Sequence, residues 1–189
     1  RTLGVEHALI VAKTLVRDGG LKSVEPFLVA IEANRPELLE ALLKEDFGQA
    51  LTNADKTLVI NAAAGSKNPE LILLVLDAWP NTGLKAALGD AVKQVACTEN
   101  SVEERIKTIK AMLVWGGGNY QAPSQSDDSP LFCLNGKDDM PLIDLLLSSG
   151  VDPNKPEDLV VRVGSKRFLV DRLLQAGANP LSKSQKHPS

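Results

Sequence analysis

Runs of apolar residues spaced for helices dominate the chain, and they come in short pairs. Pro26 to Ala33 is apolar apart from Glu32, and Pro36 to Leu43 follows after a break at Asn34-Arg35. Proline at Pro36 forbids one continuous helix, since it would remove a backbone donor from the interior. It suits the first position of a second helix, where no bonded N–H is lost. The pattern therefore predicts helix, tight turn, helix. The same grammar returns with Leu58 to Ala64 and Pro69 to Ala78, then Leu88 to Cys97 and Val102 to Trp115. In the last of these, Ile106, Ile109, Met112 and Leu113 share one face. Leu159 to Val163 and Arg167 to Gln175 make a further pair, and Val5 to Arg17 reads as a cap lacking its first helix.

Two of these segments are nearly the same text. RPELLEALLK (35–44) and NPELILLVLD (68–77) align without a gap at an offset of 33 residues. The stretch from Ser129 to Asn154 aligns with Glu25 onward at an offset of 104, placing Pro130 on Pro26 and Leu142 on Leu38. Glycine closes four of the helix ends, at Gly19 or Gly20, Gly117, Gly150 and Gly177. There it can take the left-handed conformation that ends a helix. A recurrence of this length marks a repeat array.

These residues resemble ankyrin repeats. Ser129-Pro130-Leu131-Phe132 is similar to the family's helix start, and Leu145-Leu146-Leu147 followed by Gly150-Val151-Asp152-Pro153-Asn154 to its close. Leu173-Leu174-Gln175-Ala176-Gly177-Ala178-Asn179-Pro180 repeats that close. The family's histidine is missing, with Leu28, Asn61 and Phe132 in its place, and the last two closing glycines stand only 27 residues apart. The resemblance implies an all-α, ankyrin-type α-solenoid of about five helix-turn-helix repeats with short or missing β-hairpin fingers. One repeat domain is expected over 1–181, with a cap at about 1–20 and units at about 23–50, 56–83, 88–121, 129–154 and 156–181. Residues 182–189, rich in Lys and Ser, are expected to be disordered. Stacked units share one core, and the end units are expected to turn a polar face outward.

Composition fits helix-on-helix packing, because the chain is 43% apolar but only 4% aromatic. Net charge is −3, which does not favour nucleic acid or an anionic membrane as partner. The charge is uneven: residues 120–154 hold six Asp against one Lys, and 155–189 hold seven Lys plus Arg against three acids. Cys97 and Cys133 lie in apolar runs and read as buried free thiols, compatible with a reducing compartment. No run is long and apolar enough to span a membrane. The chain opens at Arg1 without methionine, which reads as a fragment or processed form.

Catalytic chemistry finds no footing. His7 and His187 stand near opposite ends without a nucleophile at motif spacing. Asp127-Asp128 and Asp138-Asp139 lack the spacing of a calcium loop. Gly116-Gly117-Gly118 follows a helix rather than preceding one, so no helix N-terminus aims amides at a phosphate. No cofactor and no metal are expected.

The resemblance implies binding of a protein partner through the loops after the second helices and the exposed side of the first. Tyr120, Gln121, Gln125, Asp127 and Asp128 lie on the longest such loop. Asn53, Asp55 and Lys56 fall on the preceding finger, and Asp152 and Asn154 on the finger of the Ser129 unit. Tyr120 allows two readings, contact with a partner or a ring packed on the next hairpin. Trp79 and Trp115 are expected to cover core edges. The expected protein is a cytoplasmic, monomeric, non-catalytic interaction module. A regulatory or scaffold segment of a larger multidomain protein and an effector secreted by a pathogen into a host cytoplasm are the alternatives, with a small helical enzyme or ligand-binding domain behind them.

Overall fold

The computed structural model describes residues 2–19, 23–79, 84–120, 129–134, 137–155 and 159–180. Those residues form helices and turns, with no strand among them. The chain divides into two compact units, Arg1–Ala87 and Leu88–Ser189.

The first unit holds α1 (Thr2–Arg17), α2 (Glu25–Glu32), α3 (Pro36–Leu43), α4 (Asp46–Gln49), α5 (Asn53–Gly65) and α6 (Pro69–Ala78). Pro26, Pro36 and Pro69 all sit at helix starts, where the missing donor costs nothing. Asn34, at φ 50°, reverses the chain between α2 and α3, a left-handed conformation that Asn tolerates better than most residues. On α3, Leu39, Leu42 and Leu43 are buried at i, i+3 and i+4. Each fully buried leucine contributes roughly 1.5–3 kcal/mol.

The helices pack in two rows. α3 lies between α1 and α6, while α2 packs on α5, and each of α2 and α5 also packs on its own following helix. The rows meet over Phe27, Leu39, Ile60, Leu71 and Trp79, all fully buried. The Phe27 and Trp79 rings sit 6.2 Å apart. Adjacent turns are tied as well, because Asn68 Nδ2 donates to Asn34 Oδ1 at 2.8 Å.

The second unit takes in most of α7 (Lys85–Ala96), then α8 (Val102–Gly116), α9 (Met140–Ser148), α10 (Leu159–Arg162) and α11 (Arg167–Gln175). α8 packs on α9. Gly116 lets α7 and α8 approach closely, since a Cβ there would stand 2.1 Å from Leu88 Cδ2. The closing glycines behave as the sequence predicts, with φ of 95° at Gly117, 98° at Gly150 and 91° at Gly177.

Three expectations change. The Ser129 unit does not begin with an α-helix: Pro130–Cys133 is a 3-10 turn, with a second one at Lys137–Asp139. Ser129 still caps the first turn, its Oγ accepting from the Leu131 N–H. α5 starts at Asn53 rather than Leu58, because Thr52 and Asp55 close a reciprocal capping box that the apolar pattern did not reveal. The N-terminal helix does not turn a polar face outward, for Ile10, Val11 and Leu15 are 61%, 45% and 41% exposed. Its inner side, Val5, Ala8, Leu9, Ala12 and Val16, is only partly buried. The tail at 182–189 lies outside the described residues.

Candidate functional site

A concave surface of the first unit lies along α2 and α5. A cleft of about 600 Å³ is lined by Leu28, Ile31 and Glu32 of α2, by Asn34, by Ala62 and Gly65 of α5, and by the turn Ser66-Lys67-Asn68. Its floor is aliphatic and its rim carries both charge signs, on Glu32 and Lys67. The outward stripes of the same helices carry Val29, 59% exposed, and Leu58, 52% exposed. On α5, Leu58 stands one turn from Ala62, so both project to the same side. Asn61 Oδ1 is buried without a hydrogen-bond partner. Local structure holds this surface still. The capping box fixes the start of α5, and Ser66 Oγ donates to Ala63 O and Asn68 O at its end.

The residues singled out from the sequence scatter. Asn53, Asp55 and Lys56 are not finger residues but the first turn of α5. Asp55 is occupied in the capping box, its Oδ2 accepting from the Thr52 N–H and hydroxyl. Lys56 reaches back to Gln49 O and lies 5.6 Å above the Trp79 ring. Asp152 and Asn154 are likewise engaged. The Asn154 N–H donates to Asp152 Oδ1, and the Asn154 side chain bridges to Gly177 O and the Asn179 N–H. Those bonds join one helix-closing loop to the next, which suits a structural role. Gln121, Gln125, Asp127 and Asp128 lie outside the described residues.

Tyr120 is half-buried, and its N–H donates to Ser149 O at 2.7 Å. Burial pushes its phenol up to about 12, with the Asp90 carboxylate adding to the rise. That environment favours the reading in which the ring packs on its neighbours. Trp79 is buried rather than an edge cover, whereas Trp115 is half-buried.

Two features of the second unit escaped the sequence reading. Cys97 and Cys133 are not free thiols but a disulfide, and Cys97 is exposed at the end of α7. Their apolar neighbours suggested burial, yet Cys97 is the first residue past the helix and its side chain falls outside the packed face. The second feature is an ion pair between Arg105 on α8 and Asp139 just before α9, at 2.6 Å, with both side chains 10% exposed. Arg105 also donates to Ala96 O at 3.0 Å. A signal for it did exist. The pair is 34 residues apart, and so are Asn34–Asn68 and the Lys166 bond to Phe132 O. Polar partners one period plus one residue apart meet between neighbouring turns.

Among the described residues, no three His, Cys, Asp or Glu side chains gather as a metal site. Nor is any helix among them long and apolar enough to cross a membrane. No protein-family model, no curated protein and no solved structure matches the chain.

Proposed function

We propose that this chain is a non-catalytic repeat module of ankyrin type that binds a protein partner on the outward face of α2 and α5. One observation carries the reading: Val29 and Leu58 stand 59% and 52% exposed on the two helices that line the cleft. Large aliphatic side chains left in water beside a rimmed aliphatic cleft mark an interface. The recurring 34-residue spacing of cross-turn partners supports the repeat arrangement. A face built on two braced helices loses little conformational entropy when it binds, so a few residues can supply specificity. For the compartment, the Cys97–Cys133 disulfide supports oxidising surroundings rather than the cytoplasm.

The test is affinity capture of partners by the intact chain and by the double variant Val29→Glu, Leu58→Glu, read by quantitative mass spectrometry. Both residues are exposed, so the helix content of the variant should match the parent. A specific partner should be retained about tenfold less or weaker, the effect of losing roughly 1–2 kcal/mol at an interface. Equal capture by parent and variant would remove the α2–α5 face as the site. An Asp127→Asn, Asp128→Asn variant serves as comparator, and loss confined to it would move the site to that loop.

A further inference from the structure

Two helices end at the cleft between α2 and α5. Ile31 and Glu32 close α2, Ala62 and Gly65 belong to the last turn of α5, and all four line the cleft. Each helix end of this kind carries a negative partial charge of about half a unit. Neither helix has a basic residue in its last turn to answer it. α2 ends instead on Glu32, an exposed carboxylate at the end where the dipole disfavours one. A local rule broken without compensation in the same helix marks a functional position.

Unused acceptors gather at the same place. Val29 O, Ala30 O and Ile31 O take the N–H groups of Ala33, Arg35 and Asn34, whereas Glu32 O accepts nothing among the described residues. On α5, Ala63 O accepts twice from Ser66, while Ala62 O and Gly65 O accept nothing among those residues. The Glu32 carboxylate likewise has no hydrogen bond or ion pair within that set. Lys67 brings the opposite sign to the rim but is already engaged. Beneath these acceptors the floor is aliphatic, formed by Leu28, Ile31 and Ala62.

We propose that an arginine side chain of the partner docks in this cleft, its stem on Leu28 and Ile31 and its guanidinium against Glu32 and the carbonyls that end α2 and α5. This rests on the α2–α5 face being the partner's binding surface and names the group that anchors it. A guanidinium brings five donors and keeps its charge at every working pH, which suits carboxylate and carbonyl acceptors on two helices. Its alkyl stem covers apolar surface while the charged head stays at the polar end. At about 600 Å³ the cleft lies within the range of sites that hold small groups. An acidic side chain would meet Glu32 and two negative helix ends.

The probe n-butylguanidinium reproduces that side chain without a partner. Titrated into the intact chain and followed by amide NMR, it should shift Glu32, Asn34, Gly65, Ser66 and Asn68 saturably. Pentanoate and 1-butanol, with the same butyl stem, should leave those amides near their places. Glu32→Gln should weaken n-butylguanidinium about fivefold, the usual worth of one solvent-accessible charge pair, and Glu32→Lys should abolish its binding. Glu32 is exposed, so both variants should keep the circular dichroism of the parent. No saturable shift, equal shifts from 1-butanol, or binding unchanged in Glu32→Gln would overturn the proposal. Because the probe needs no partner, that failure would leave the α2–α5 face standing. Failure of the face shows differently, as equal capture by parent and the Val29→Glu, Leu58→Glu variant.

Discussion

In the first unit, α2 runs eight residues and α5 thirteen. In the second, the helix ahead of α9 is reduced to a four-residue 3-10 turn, and α10, ahead of α11, is also four residues long. A full helix presents two turns of apolar side chains to its neighbour, and a single turn presents half that. The first unit is held mainly by its aliphatic seam, with Phe27 and Trp79 filling the centre. The second adds three stronger ties where helix is missing. They are the Cys97–Cys133 disulfide, the buried Arg105–Asp139 pair, and Lys166 Nζ, which donates to Phe132 O and Leu134 O at the end of the 3-10 turn. Two of these ties end on residues of the turn at Pro130–Cys133 or beside it. Where a helix pair loses the length that buries apolar area, covalent and charged bonds hold the neighbouring segments in place.

The largest break should come at Asp139. Asp139→Ala strands the Arg105 guanidinium in a site where it is 10% exposed, and breaking a buried pair from one side costs about 3–5 kcal/mol. Trp115 lies in the second unit and Trp79 in the first, and they are the two tryptophans of the chain. Urea unfolding followed by fluorescence, with either one changed to Phe, reads each unit separately. Asp139→Ala should shift the Trp115 transition and leave that of Trp79 near its original place. Replacing both partners, Arg105→Met with Asp139→Leu, should recover most of the loss, because an apolar pair carries no desolvation cost.

Next is the disulfide. Its closed loop spans 36 residues, and removing such a cross-link costs about 2–4 kcal/mol, mostly by freeing the unfolded chain. Reduction, or Cys97→Ser with Cys133→Ser, should again lower the Trp115 transition alone. A loss shared equally by both transitions would mean that the units unfold together and that the contrast drawn between them is not energetic. In the first unit the matching probe is smaller. Thr52→Ala removes the α5 cap at about 1 kcal/mol, and should move only the Trp79 transition.

The first unit was largely legible in sequence because its regularity is written in apolar spacing. Pro36 and Pro69, each followed by Glu and a run of aliphatic residues, announce α3 and α6, and both form where the pattern puts them. The start of α5 was missed because Thr52 and Asp55 signal a cap through hydrogen bonding rather than hydrophobicity. In the second unit, Ser129-Pro130 announces a helix start, and Ser129 does cap, yet only one tight turn follows. Nothing in the apolar spacing marks where that helix is cut short. Arg105 and Cys97 were harder to read for another reason: apolar periodicity reports faces rather than pairs, and only the 34-residue offset shared by other polar partners points to Arg105–Asp139. The exposed Val29 sat inside an apolar run that read as core. Its position on α2, one residue from Leu28 and two from Ile31, turns it outward.

The smallest effect is absent at neutral pH and appears in alkali, and it separates the two readings of Tyr120. Burial raises the phenol from 10.0 to about 12, so the folded second unit favours the neutral ring. A raised value means the stabilisation is complete below pH 10 and is lost as pH climbs from 10 through about 12. The chain has one tyrosine, so the ultraviolet absorbance of phenolate reports this residue alone. In the folded protein the midpoint should lie near 12, and in denaturant near the ordinary 10.0. Hydrogen exchange should quicken in the second unit over the same interval, and Tyr120→Phe should abolish that part of the change. The first unit contains no tyrosine and should lack this step. A folded-state midpoint near 10.0 would instead place the ring in water. Tyr120 would then return to the displayed surface, and the loop it opens would rival the α2–α5 face as the proposed binding site.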